Sequence, residues 1–444
     1  MQEFTLVDRA SSFFENSSGC KLHRDPTSGK CKFLPLGRWR GVLTQEDIPC
    51  AYMVMSDHLD MVGVELKATH TQTRKVNGDT LQLKIQNTIG PWRAGKFMPL
   101  TQRPWSINSY ALSKVWYKCN CIDLRVADIT SITSKVKTWL YADQFEKPEE
   151  LILYRPSSKG GLGMQSVKFK ALAMLIRSFL ETAINPKYLH SLYHTSLFKF
   201  HVLLDRDIPD PGLPPYYTKD FFTTIRDVHE NSPLNVATMS SSDWYTVLVE
   251  DNITMPAHDG DSTRQFKSSR AELAWPDNDW DHTWKLARLR GLGPEITTFV
   301  WRLLHNILPT QERTSRIANK SGTASAICKL CQDQLEEDQL HAFFHCKNNS
   351  NASRALLNSI TPVLPNITPR QVLLMDFDLE ESQEFPIVWF VGHFLQIVWN
   401  SRVEKRQVRL YSIRADLEAR SSLLRETRYK EHLEKIKEMM QNFN

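Results

Sequence analysis

Three cysteines and two histidines fall within nineteen residues of this chain, in the order Cys328-Lys-Leu-Cys331, nine residues, then His341-Ala-Phe-Phe-His345-Cys346. Side chains that close around one small ion fix the path of the intervening chain, so this stretch constrains the fold more than any other. Two thiolates three residues apart suit a tight knuckle, and a His followed closely by a Cys supplies a second pair of donors. The reading takes Cys328, Cys331, His341 and Cys346 as ligands of a structural Zn2+. His345 is the rival for the third position, but it adjoins Cys346, and neighbouring side chains seldom both reach one ion. Four protein ligands leave no open position for water, so the site stabilises structure and does not catalyse.

The chain has 444 residues, enough for two or three cores, and an apolar share of 41% with 24% charged residues marks it as globular. Its net charge of +5 is small but unevenly spread. From Lys84 to Leu204 there are seventeen Lys and Arg against seven Asp and Glu, and from Asp205 to Gln265 four against eleven. A cationic region is thus followed by an acidic one. Eight cysteines show no extracellular framework, which suits a reduced, intracellular setting in nucleus or cytoplasm. The first residues lack the basic start and apolar core of a signal peptide. The longest apolar run, Ile387 to Trp399, is thirteen residues and includes His393 and Gln396, so it reads as a buried helix and no membrane span is expected.

Short apolar stretches and turn formers in residues 1–66 predict short strands. Leu81, Ile85 and Ile89, then Leu172, Leu175, Ile176, Phe179 and Leu180, predict helices. The expected divisions are 1–66, a basic helical region 67–204, an acidic Pro-rich connector 205–265, a helical and zinc-binding region 266–350 and a helical tail 351–444. Val403, Leu410, Leu417 and Leu424 recur every seven residues with Ile413 beside them, which predicts an apolar seam on a long C-terminal helix. The expected class is mainly α, α+β overall.

Basic residues alternate with aromatic ones at Trp92-Arg93, Lys96-Phe97, Arg103-Pro-Trp105, Lys114-Val-Trp-Tyr-Lys118 and Lys135-Val-Lys-Thr-Trp139. Cations can neutralise phosphates while flat rings pack against sugars or bases. Arg93, Lys96, Arg103, Lys114, Lys118, Lys135 and Lys137 are therefore candidate contacts for RNA or DNA. Arg402, Arg406 and Arg409 join them; those three read equally as a solvated face balanced by Glu404, Asp416 and Glu418. Tyr141-Ala-Asp-Gln144 lacks the second acid of a two-metal polymerase turn. Lys159-Gly-Gly-Leu-Gly163 lacks the Lys-Ser/Thr of a phosphate loop and reads as a turn. Asp376 and Asp378 could seed a metal-dependent DNA endonuclease, and the seam could serve a zinc-stapled protein-interaction module.

Several stretches resemble reverse transcriptases of non-long-terminal-repeat (LINE-type) retrotransposons. Ser18 to Pro26 with Lys30 to Gly37 resembles the late palm, and Leu59-Asp-Met-Val-Gly-Val64 the strand closing it. Trp92 to Lys118 resembles the thumb. Leu151 to Pro156 with Gly160-Gly-Leu-Gly163 is similar to the segment after it, and Phe299 to His305 leading to Cys346 to the zinc-binding domain. The resemblance implies an RNA-directed DNA polymerase reduced to palm tail, helical thumb, zinc knuckle and tail. No Tyr-x-Asp-Asp occurs in the chain, so it is expected to grip template-primer or target DNA without polymerising, its missing N-terminal half supplied elsewhere if at all. Residues 1–66, cut from their sheet, are expected to expose apolar edges.

Overall fold

A computed structural model describes residues 9, 12, 31–35, 40–48, 53–61, 63–92, 98–141, 150–184, 219–231, 236, 238–253, 275, 277–318, 325–331, 333–426 and 429–443. The chain divides into two units, one of residues 1–92, 108–137 and 166–248, the other of 93–107, 138–165 and 249–444. As expected, the class is mainly α. The Pro-rich stretch 207–217, its counterpart 255–262 and Ala142 to Gln144 lie outside the described residues.

In the first unit, β1 (Lys32–Phe33) pairs in parallel with β2 (Val54–Met55), and β3 (His58–Met61) pairs antiparallel with β4 (Val64–Lys67). Val42 and Met61 stand exposed. Thr69 caps α1 (His70–Ile89) by accepting the Gln72 N–H. Leu81, Ile85 and Ile89 form the buried stripe of α1. Asn77, also buried, accepts from Glu65 N at 3.1 Å and donates to Glu65 O at 2.7 Å, so a side-chain amide takes the place of a neighbouring strand beside β4. Then come α2 (Ser113–Cys119), all but the last turn of α3 (Val126–Leu140), α4 (Val167–Ile184), α5 (Lys219–Asn231) and the first eight residues of α6 (Ser241–Ile253). Ile176, Phe179 and Leu180 of α4 meet Ile225 and Val228 of α5 and Trp244 and Leu248 of α6 in one core.

The second unit holds α7 (Trp280–Leu286), α8 (Pro294–Leu304), α9 (Gln311–Ala318), α10 (Ser350–Ile360), α11 (Pro369–Leu374), α12 (Glu381–Val403), α13 (Leu410–Ser422) and α14 (Leu433–Met440). Helix α12 is buried on nearly every side from Glu384 to Trp399, which is why its sequence is apolar without a stripe. No helix among the described residues is long and apolar enough to cross a membrane. Pro386 lies inside α12 and leaves the Ser382 carbonyl without its usual donor; Lys435 of α14 donates Nζ to it at 3.4 Å.

The heptad seam does not run along one helix. Val403 ends α12 and is exposed, and Lys405 takes a positive φ of 55° that breaks the run before α13. Ile413, Leu417 and Leu424 are buried within the unit, so the spacing reflects internal packing and leaves no continuous stripe for a partner.

The glycine turn after residue 155 is buried in this unit. Trp301 Nε1 and His305 Nε2 both donate to Gly160 O at 2.8 Å, Trp284 stacks on His305, and Arg288 Nη2 donates to Gly161 O at 2.6 Å.

His393 is buried in α12 and its Nδ1 donates to Trp389 O at 2.8 Å. Burial holds its pKa down to about 4 against the Trp389 carbonyl, which pulls the other way; Arg420 adds to the depression. The folded state therefore binds fewer protons than the unfolded one between pH 4 and 6.5, and stability is full above that window and lost as pH falls through it. Acid melts should lose about 3 kcal/mol across the window, and His393→Gln should flatten that slope. An unchanged slope in the variant would assign the acid sensitivity to other groups.

Candidate metal centre

The knuckle is built by a short hairpin. Cys328 N donates to Leu335 O and Glu337 N to Ala326 O, both at 2.9 Å, around the antiparallel bridge of Ile327 with Glu336. The chain then enters a π-turn, His341–His345, in which Cys346 N donates to His341 O at 2.8 Å. In an ordinary helix of about 3.6 residues per turn, side chains five apart point away from each other. The wider turn brings imidazole and thiol to the same side. Asp338 Oδ1 caps the start by accepting from His341 N, while Asn349 Nδ2 and Ser353 Oγ donate to the Ala342 and Phe343 carbonyls.

One donor atom each from Cys328, Cys331, His341 and Cys346 lies within 4.8 Å of every other. The Cys328 and Cys346 sulfurs are 4.0 Å apart, and Cys331 Sγ is 3.4 Å from His341 Nε2. A tetrahedron with Zn–S bonds of about 2.3 Å has edges of about 3.8 Å, so the four donors fit zinc. His341 is buried and His345 exposed, which decides between them.

Burial raises the Cys328 thiol, but the Leu330 N–H at 3.4 Å and the Arg402 guanidinium outweigh it and leave the thiol below its ordinary value. Burial pushes Cys346 up to about 11 against the pull of the Asn348 N–H and Arg402. Burial, with Arg402, lowers His341 and keeps the imidazole in the neutral form a metal binds.

Arg402 is not a nucleic-acid contact. It is buried, pairs with Glu337, and directs Nη2 to Cys328 Sγ at 3.2 Å and Nη1 to Cys346 Sγ at 3.8 Å. Arg103 is also enclosed and donates to Met98 O and Leu140 O. Lys118 is buried with Nζ 2.7 Å from Asn77 Oδ1, its pKa lowered by burial and by Lys84 nearby. A cation committed to internal acceptors cannot also meet a phosphate, so these three leave the candidate set. Arg93 and Lys96 lie outside the described residues.

Lys114, Arg406 and Arg409 are exposed, and Lys135 and Lys137 half-buried. Arg406 pairs with Glu404 and Arg409 donates to the Tyr411 hydroxyl, while Lys135 reaches Gln82 O at 3.5 Å. Lys114 donates to Thr88 Oγ1 on α1, one turn from exposed Lys84. The Tyr110 ring, exposed and four residues before Lys114, meets Trp92 edge-on at 6.0 Å. Lys84 was not singled out from sequence, since only the packing of α2 on α1 brings it beside Lys118 and Lys114. Asp376 and Asp378 belong to no group of three or more metal-binding side chains among the described residues.

Residues 264–352 match the family model described as zinc-binding in reverse transcriptase. No curated protein matches the chain. The match contains all four donors and ends fifty residues before Arg402. Residues 264–352 thus form a zinc-binding region similar to that of reverse transcriptases, and they hold all four donors that the structure brings together.

Proposed function

We propose that the chain is a nucleic-acid-binding portion of a retrotransposon reverse transcriptase of the LINE type, working on RNA or DNA in nucleus or cytoplasm. The observation that carries the reading is the flank of α1 and α2 in the first unit. There Lys84 and Lys114 lie exposed above buried Lys118, beside the Tyr110 and Trp92 rings. Such a flank can neutralise phosphates and offer a ring face to a sugar or base. Arg406 and Arg409 supply a second exposed pair in the other unit. The zinc-binding match supports the class, and the zinc centre itself serves as scaffold. No Tyr-x-Asp-Asp occurs in the sequence, so the reading assigns strand holding and not nucleotide joining to these 444 residues.

Fluorescence anisotropy with labelled RNA and DNA duplexes, titrated across salt, tests this. The logarithm of affinity is expected to fall steeply with the logarithm of salt, and Lys84→Ala with Lys114→Ala to reduce the slope by about two. Binding insensitive to salt, or a double variant with the parent slope, rejects the reading.

A further inference from the structure

We infer that Arg402 is a positioning residue of the metal centre, which fastens α12 to the ion through two of its ligands. Three thiolates around a divalent cation carry a net negative charge, and burying that charge without a counter-ion is costly. Arg402 is the cation the structure places there, with guanidinium nitrogens on Cys328 Sγ and Cys346 Sγ. A planar fork can serve two sulfurs and a carboxylate together, which an ammonium on a flexible stem cannot. Glu337 completes the arrangement, pairing with Arg402 while its Oε1 accepts from Gln311 N at 3.3 Å. Arginine and glutamate are both almost fully enclosed, so each orients the other.

The ligands sit on the knuckle, and the arginine sits on the last turn of a helix that begins thirty-five residues after Cys346. Phe343 of the π-turn also meets Trp399 of α12 at 5.8 Å. Loading of the ion and seating of the end of α12 are thereby one event. The segment matched as zinc-binding, 264–352, lacks this cation when taken alone.

The test uses the full chain. Zinc affinity is measured by competition with a chromophoric chelator, and the thiolate count by the charge-transfer bands of the cobalt-substituted protein. Arg402→Met is expected to bind zinc 10–100-fold more weakly with an unchanged cobalt spectrum. Arg402→Lys, which keeps the charge but not the fork, is expected to fall between it and the parent. Parent-like affinity in either variant overturns the inference. Hydrogen exchange on the unaltered protein guards against a variant that fails to fold. Stripping zinc is expected to speed exchange at residues 397–403 to at least the extent seen in the knuckle, and unchanged protection there overturns the inference equally.

Discussion

Cys346→Ser, or removal of metal by a chelator, is expected to unfold the region from Ser325 to Asn349 and to reduce bound zinc well below one ion per chain. Besides the metal, that region is anchored chiefly by the buried π-turn residues Ala342, Phe343 and Phe344 and by the Glu337–Arg402 pair. Its hairpin is a single bridge, and Lys329, Gln334, Leu335 and Glu336 are exposed. Structural zinc in comparable small modules contributes about 10–16 kcal/mol of apparent binding energy, which far exceeds what one bridge and a few buried rings provide. Cys346 is the most telling position, since it is fully buried, accepts from Arg402 and closes the π-turn with its own N–H. Serine keeps the backbone bond and loses the soft donor. Metal analysis and limited proteolysis would decide: a variant with one zinc and the parent cleavage pattern would show that the centre is not what holds this region.

Gly160→Ala is expected to cost at least ~3 kcal/mol. Gly160 has a φ of +80°, and an added Cβ would lie 2.3 Å from Trp284 Cε2. The tryptophan cannot easily retreat, because it is buried and stacked between Trp280 and His305. Gly163 provides the control. It also has a positive φ, of 67°, but a Cβ there meets nothing closer than 3.9 Å, so Gly163→Ala is expected to cost only ~1 kcal/mol from backbone strain. Denaturant melts of both variants separate crowding from conformation. Trp284→Ala should relieve part of the Gly160→Ala penalty in a double-mutant cycle, and strict additivity would rule out the clash. The turn matters because it supplies the acceptor for both Trp301 and His305.

The parts legible in the sequence were those that depend on near neighbours. The ligand set falls within nineteen residues, and the α1 stripe and the buried run of α12 follow helix periodicity, so spacing alone conveys them. Charge was less legible, because a side chain's sign says nothing of its partner. Arg402 looked like a surface cation in series with Arg406 and Arg409, yet its carboxylate is sixty-five residues away at Glu337. Lys118 and Arg103 turned inward for the same reason, toward Asn77 and toward the Met98 and Leu140 carbonyls. The heptad spacing from Val403 to Leu424 was real as arithmetic, but it bridges a helix break at Lys405 that no periodicity announces.

The π-turn sets a rule about length and not about composition. Between His341 and Cys346 the chain has one more residue than a regular turn would need to bring both donors round. Conservative exchanges of Ala342 or Phe344 leave that geometry available. Deleting one residue would leave the i, i+4 interval that an ordinary α-turn brings to one face, so sulfur and imidazole would meet only if the π-turn tightened to an α-turn. In descent, this interval can drift in lettering and still chelate, but it can shorten only where the turn type changes with it.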